Sequence, residues 1–289
     1  MAYNFLYFLV KFLSYLPFGV LYAFSDCMYY LVYYVFRYRR KLVRKNIVEC
    51  FPEKTEKECI RIEKGFYSHF ADQFVESVKL TSISSEELRQ RMKFTNAELV
   101  NDQNRNGKSV ALFLGHYANW EWVSSLPLWL EKNVTGAQIY HKLRNESMDR
   151  LMLYIRGRMG AANVDMYKTA RYINEQVNAG KTCFIGFIAD QSPQKRYVTH
   201  FLKFLNHNTP VLVGTEKVTK KYGFEPFFLY VRKVKRGYYE ADFIQMHNNS
   251  KSLPDFELTA IYYQLLEKMI RECPELYLWT HNRFKHAKK

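Results

Sequence analysis

Cysteine is sparse in this 289-residue chain. There are five, Cys27, Cys50, Cys59, Cys183 and Cys273, an odd number with no C-x-x-C pair. That pattern excludes a disulfide framework and a cysteine-based zinc site, and it fits a catalytic body in a reducing compartment. H-E-x-x-H is also absent, so no helix offers the paired imidazoles of a zinc peptidase. His200 and His207 have no third ligand nearby in sequence, and no metal or other cofactor is expected. No low-complexity linker and no internal repeat divides the chain. Acidic residues are the scarcer charge, 28 against 43 basic ones, for a formal net charge of +15. Such a balance implies an anionic partner: nucleic acid, anionic lipid or an acidic carrier protein. No DNA- or RNA-binding signature is present, so nucleic acid is not the expected partner.

A long uninterrupted apolar run is missing as well. Residues 1–36 hold only two charges, Lys11 and Asp26, but Pro17 and Gly19 split the stretch and Asp26 interrupts its second half. Neither piece is a clean run of about eighteen uncharged residues, the usual minimum for a transmembrane helix. No basic segment precedes the apolar one and no small-x-small cleavage site follows, so it makes a poor signal peptide. One span, a helical hairpin lying in the interface, or a buried helix pair all remain open, with membrane attachment favoured. Arg37, Arg39, Arg40, Lys41, Arg44 and Lys45 come next. A basic cluster beside an apolar stretch marks the cytoplasmic side and attracts anionic headgroups. Aromatics make up 17% of the chain, a load that suits a protein at a membrane surface, where amphipathic rings settle. The domain reading is therefore residues 1–45 as anchor and basic juxtamembrane segment, and 46–289 as one catalytic domain.

Within that domain, helical and strand patterns alternate. Residues 55–80 read as an amphipathic helix, with Thr55 as N-cap and Glu58 completing a capping box. Ser84 or Ser85 starts a shorter helix. Asn145 or Ser147 caps another, which is strongly basic, and Lys168–Ala179 forms one ending at Gly180. Pro254 and Asp255 open the last helix, to about Glu272. Strands are read at Ser109–Leu114, Ala137–Tyr140, Thr182–Ala189, Glu225–Lys235 and Tyr238–Phe243, the last two joined at Arg236-Gly237. The near-continuous apolar character of TCFIGFIA suits a sheet buried on both faces. The fold class is α/β, a central mostly parallel mixed sheet flanked by helices.

The stretch KSVALFLGHYANWEWV, Lys108–Val123, carries the chemistry. An apolar strand ends at Leu114, Gly115 allows a tight turn, and His116 follows, with a helix expected from near Asn119. In open α/β sheets ligands bind at the carboxyl ends of the strands. Imidazole titrates near neutral pH, so His116 is the candidate general base. Glu121 stands five residues on, an H-x4-E spacing, and a carboxylate there would hold the ring in one tautomer and stabilise its charged form. A second apolar strand, TCFIGFIA, ends in Asp190-Gln191-Ser192-Pro193, and a strand-ending turn is the ordinary use of such residues.

Taken together, these motifs resemble the late acyltransferases of bacterial lipid A biosynthesis. GHYANWEW resembles that family's H-x4-D/E element. The basic run followed by Asn46, Phe51, Pro52 and Glu53 is similar to its early segment. Arg158 before Gly160, the Ala189-Asp190-Gln191 loop, Phe201/Phe204 with Thr209-Pro210, and the closing Pro274, Glu275, Trp279, His281 and Arg283 follow in order. Asn206 stands where the family usually has Gly. The resemblance implies a fatty acyl transfer from acyl carrier protein or coenzyme A to a hydroxyl of a lipid A precursor or related glycolipid. It places the protein at the inner membrane with its catalytic domain facing the cytoplasm, next to an anionic membrane surface and a membrane lipid acceptor. His116 and Glu121 would be catalytic, and Gly115, Asn119, Arg158, Asp190 and Gln191 would bind substrate. An aminoacyl lipid or lysophospholipid acceptor, or a basic membrane-binding protein with no chemistry, are the alternatives. Backbone N–H groups near Gly115 and the Arg158 side chain both qualify as oxyanion stabiliser, and spacing does not choose between them.

Overall fold

The computed structural model describes residues 2–288. The chain runs through α1 (Ala2–Ser14), α2 (Phe18–Tyr30), α3 (Arg40–Cys50), α4 (Glu56–Lys79), α5 (Ser85–Arg91), β1 (Met92–Phe94), α6 (Glu98–Arg105) and β2 (Val110–Leu114). There follow β3 (Thr135–Tyr140), α7 (Glu146–Gly157), β4 (Ala162–Asp165), α8 (Thr169–Asn178), β5 (Cys183–Ile188), β6 (Phe201–Phe204) and β7 (His207–Pro210). The last elements are α9 (Gly214–Tyr222), β8 (Glu225–Lys235), β9 (Tyr238–Gln245) and α10 (Glu257–Glu272).

Seven strands form one mixed sheet in the order β1-β9-β8-β2-β5-β3-β4, parallel throughout except at the β8–β9 hairpin. The α/β architecture with a mostly parallel sheet is the one expected. β2, sequence VALFL, is buried along its whole length at the centre of the sheet. Each fully buried aliphatic or aromatic side chain there contributes roughly 1.5–3 kcal/mol. Parallel pairing sets Leu114 of β2 opposite Ile188 of β5. The residues that follow each strand therefore leave the sheet side by side.

Local signals hold where they were strong. Thr55 and Glu58 form a reciprocal capping box on α4, and the Asn145 side chain accepts from Met148 N–H to start α7. The segment after His116 differs from expectation. It is not an α-helix from Asn119 but a 3₁₀ turn at Trp122–Leu128 with Pro127 inside it. Proline lacks an N–H and its ring collides with the preceding turn, so an α-helix does not continue through it. Asn206 has a physical reason for standing where glycine is usual. Leu205 and Asn206 turn the β6–β7 hairpin with φ of 47° and 65°, and Asn tolerates that left-handed backbone better than most residues.

α4 is buried along half of its residues and carries charge into the interior. Glu63 receives Arg40 at 2.9 Å and also Arg44. Asp72 receives Ser25 at 2.8 Å and Arg236 at 2.6 Å. Glu76 accepts from Tyr22 and Tyr239, each at 2.9 Å, and from Asn119 at 2.6 Å. These bonds tie α2, α3, the β8–β9 hairpin and the turn after β2 to one helix. Burial pushes the Glu76 carboxyl up to about 7, with the tyrosine hydrogen bonds working against that rise.

Candidate active site

His116 stands where β2 ends, and its backbone is held on both sides. Its N–H donates to Asp190 Oδ2 at 3.1 Å, and its carbonyl accepts from Leu278 N–H at 3.1 Å. Ala118 N–H donates to the Leu276 carbonyl at 2.9 Å, with Ala118 itself at φ 51°. A non-glycine residue in that region costs free energy and persists only where its surroundings determine it. Here the chain end from Leu276 to Leu278 supplies the determination. Gly115 matters for space rather than for φ. A Cβ there would lie 2.7 Å from Leu266 Cδ1 on α10 and 3.7 Å from Asp190 Oδ2.

The carboxylate that orients His116 is Asp190, not Glu121. Asp190 Oδ1 lies 2.7 Å from His116 Nδ1, so the Nδ1–H tautomer donates to it. Asp190 follows β5, the parallel neighbour of β2, and is 1% exposed. Burial raises its carboxyl, but the His116 ring and its hydrogen bonds more than offset this and hold it below the usual carboxylate range. Tyr262 and Tyr263 of α10 steady the two strand ends, donating at 2.9 Å to the carbonyls of Leu114 and Ala189. Gln191 Nε2 stands 3.3 Å from His116 Nε2 and donates to the lone pair that a base would use. The Trp120 ring meets the imidazole edge-on at 5.3 Å.

Three residues proposed for the site from sequence are engaged elsewhere. Glu121 makes no hydrogen bond to His116 among the described residues. It is gripped by Arg156 at 2.6 and 2.7 Å and accepts from Trp120 Nε1 at 3.1 Å. Burial opposes the Arg156 charge, and Glu121 more than compensates. The five-residue spacing places Glu121 at the opening of the 3₁₀ turn, within reach of α7, so the carboxylate orients the site wall rather than the ring. Asn119 is fully buried. It bonds Glu76 through its amide and caps Trp122 N–H at 3.0 Å through its oxygen, so it supports the turn from behind. Arg158 donates to the Leu80 carbonyl and, at 3.2 Å, to that of Ile83. Its guanidinium caps the chain just past the end of α4.

Other contributors carried weaker sequence signals. His281 Nε2 accepts from Ser192 N–H at 3.2 Å, fixing the Asp190–Gln191 loop. Burial pushes His281 down to about 4, so it is a neutral acceptor at working pH. Arg283 is almost wholly buried, donating to Thr209 at 2.8 Å and to Tyr263 at 3.2 Å. The consecutive tyrosines in α10 were the signal for the strand-end contacts, but nothing in spacing says which carbonyls they reach. His200 and His207 stack on Phe256 and Phe284 respectively.

An imidazole oriented by a buried carboxylate, with a second nitrogen facing an amide donor at the carboxyl edge of a parallel sheet, is equipped to deprotonate a hydroxyl. No curated protein matches the chain. The pattern of bacterial lipid A biosynthesis acyltransferases matches residues 2–286. That match covers nearly the whole length, from the first helix past Arg283, and the protein belongs to the bacterial lipid A biosynthesis acyltransferase family.

Proposed function

We propose that the protein moves a fatty acyl group from an acyl thioester, carried by acyl carrier protein or coenzyme A, to a hydroxyl of a lipid A precursor at the cytoplasmic face of the inner membrane. The observation that carries this reading is the His116–Asp190 pair at 2.7 Å. Asp190 holds the proton on Nδ1 and leaves Nε2 free to take one. The acceptor hydroxyl displaces the Gln191 amide from Nε2. His116 removes its proton as the oxygen attacks the thioester carbonyl carbon. Charge then gathers on the carbonyl oxygen, and the released Gln191 N–H stands beside the reacting atoms to receive it. Collapse breaks the C–S bond, and the imidazolium returns its proton to the departing thiolate. The products are an ester and a free thiol, with no acyl-enzyme, because a thioester is already activated.

General-base help of this kind is typically worth about 10²–10⁴-fold. Asp190 stabilises the imidazolium that forms midway, as the carboxylate of a serine-hydrolase triad does. Glu121 and Arg156 keep Trp120 against the ring. The strong positive balance of the chain would steer an acidic carrier protein toward it, so turnover with such a donor is expected to fall as salt rises.

The test is mass spectrometry of total lipids from cells lacking the protein, complemented with the native chain or with His116→Ala. A lipid heavier by one fatty acyl unit only with the native chain identifies acceptor and acyl group together. The same lipid with both forms would remove His116 as base. No difference in either, with both proteins folded, would end the acyltransferase proposal for this acceptor class.

A further inference from the structure

The two N-terminal helices present an apolar surface that the rest of the molecule leaves uncovered. On α1, Phe5, Phe8 and Phe12 recur at helical spacing, with Tyr15 just past its end, and each is about two-thirds exposed or more, Phe5 reaching 73%. Beyond α2 the pattern continues at Val35 and Phe36, 65% and 72% exposed. Single exposed apolar residues are ordinary, but a contiguous stripe of large ones marks an interaction site. Arg37 and Lys41 stand exposed directly after it.

The bend between the helices is built into the fold. Tyr3–Ser14 and Phe18–Val35 meet at 115°, and among the described residues no single helix is long and apolar enough to cross a bilayer. α1 has 13 residues; at about 1.5 Å per residue that is well short of a hydrocarbon core of about 30 Å. Straightening the pair would break buried bonds. Ser14, fully buried, gives its carbonyl to Lys79 Nζ at 3.1 Å and Ser82 Oγ at 2.6 Å. Leu16 gives its carbonyl to the same Lys79 at 3.0 Å. Lys11 reaches the Thr81 carbonyl at 3.0 Å, and Ser25 and Tyr22 hold α2 on Asp72 and Glu76. The polar sides of both helices are therefore spent on α4 and its C-terminal turn. Only the aromatic sides are left.

We propose that this hairpin docks in the plane of an anionic bilayer, inserting its aromatic stripe to the depth of the headgroup–acyl boundary with neither helix crossing. The proposal rests on the acyltransferase reading only in placing a lipid substrate nearby. Charge decides the occupant: the cations that border the stripe and the net charge of +15 repel a second copy of this chain and attract anionic headgroups. The arrangement also sets the catalytic wall. α1 touches α7 through Tyr7–Tyr154, whose hydroxyls lie 3.4 Å apart, and through Arg150, whose guanidinium lies 4.1 Å from the Tyr3 ring centre. α7 in turn carries the Arg156 that grips Glu121. A membrane seated on the hairpin is thus separated from α7, which carries that ion pair, by the thickness of α1 alone.

Two measurements test the proposal on the full chain. Binding to sealed phosphatidylcholine vesicles containing phosphatidylglycerol is compared for the native protein and a Phe5→Asp/Phe8→Asp/Phe12→Asp variant, with unchanged melting as the check on folding. We expect the variant to bind more than about tenfold more weakly, since each buried aromatic contributes strongly to transfer, and native binding to weaken without phosphatidylglycerol. In the second, Asn4→Cys is treated with a membrane-impermeant maleimide in spheroplasts and in inverted inner-membrane vesicles, and the label is mapped by peptide because Cys27 is also exposed. In-plane docking predicts labelling of Asn4→Cys in inverted vesicles alone. Labelling in spheroplasts instead would show a crossing segment and overturn the proposal. Equal vesicle binding by native and variant chains would also overturn it, as would a native dimer that the variant dissociates while binding vesicles unchanged. Thioester consumption by the native chain is followed separately. A native chain that consumes thioester but fails to bind the vesicles refutes the docking alone, and vesicle binding without consumption refutes the enzyme reading alone.

Discussion

Asp190 contributes to the site by position rather than by any unusual chemistry. Its two oxygens take the His116 ring and the His116 backbone together, so one side chain fixes both tautomer and loop. Asp190→Asn would keep the size but lose the charge that stabilises the imidazolium. Its kcat is expected to drop by roughly 10²–10⁴, with the melting temperature little changed. A kcat within twofold of native would show that the pair is not used in turnover. Gln191 separates binding from chemistry. Gln191→Ala removes a donor needed only as charge develops, so kcat is expected to fall about 10²–10³-fold while KM stays near native. A change confined to KM would instead make Gln191 a substrate-binding residue.

At the level of elements, two contacts decide whether the site keeps its shape. The Glu121–Arg156 pair joins the 3₁₀ turn after His116 to α7, and both side chains are largely out of water. Removing one partner of such a pair strands a buried charge, at a cost of about 3–5 kcal/mol. Glu121→Gln should therefore lower the denaturant midpoint sharply. A Glu121→Gln/Arg156→Met double variant should recover a good part of that loss. If the single variant melts like native, the pair does not hold α7. Gly115 marks the contact of β2 with α10. An alanine there meets Leu266 at 2.7 Å, and overpacking of this kind typically costs about 1–3 kcal/mol. Leu266→Ala in the same chain makes room and should reduce the penalty of Gly115→Ala, which a thermodynamic cycle of the four proteins would reveal.

For the molecule as a whole, buried titratable groups govern how it responds to pH. Burial holds His281 down to about 4 and His69 to about 3, Lys233 adding to the latter. An unfolded imidazole takes its proton near 6.5. As pH falls from about 6.5 toward 4, the unfolded chain binds protons that the folded one refuses, so stability drops. Glu76 acts in the opposite sense. Pushed up to about 7, it is protonated in the fold over a range where the unfolded carboxyl, near 4.3, is ionised, and its contribution declines as pH rises from about 4.3 to 7. Two imidazoles outweigh one carboxyl, so urea midpoints should fall between pH 6.5 and 4.5. Glu76→Gln should make that fall steeper, and His281→Asn should make it shallower. A midpoint that climbs on acidification would contradict this balance.

Much of the architecture was legible without coordinates, because it depends on signals a few residues long. The apolar runs at Ser109–Leu114 and Thr182–Ala189, the capping box at Thr55 and Glu58, and the Arg236-Gly237 turn each reflect a local constraint, met in β2, β5, α4 and the β8–β9 hairpin. The ordered recurrence of family motifs likewise identified the family, and the place of His116 directly after a buried strand is the one expected. Side-chain partners were not legible. The nearest carboxylate in sequence was read as the partner of His116, whereas the real neighbour comes from 74 residues away. Strand order explains this. β2 and β5 are adjacent only because the sheet arranges them so, and adjacency in a parallel sheet is set by crossover packing, not by spacing. The same distinction applies to Arg158, whose motif was visible but whose guanidinium closes α4, and to the N-terminal hairpin. Its sequence established two apolar segments broken at Pro17. Only the buried bonds from Lys79, Ser82, Asp72 and Glu76 decided that the break is a fixed bend with an aromatic face turned outward.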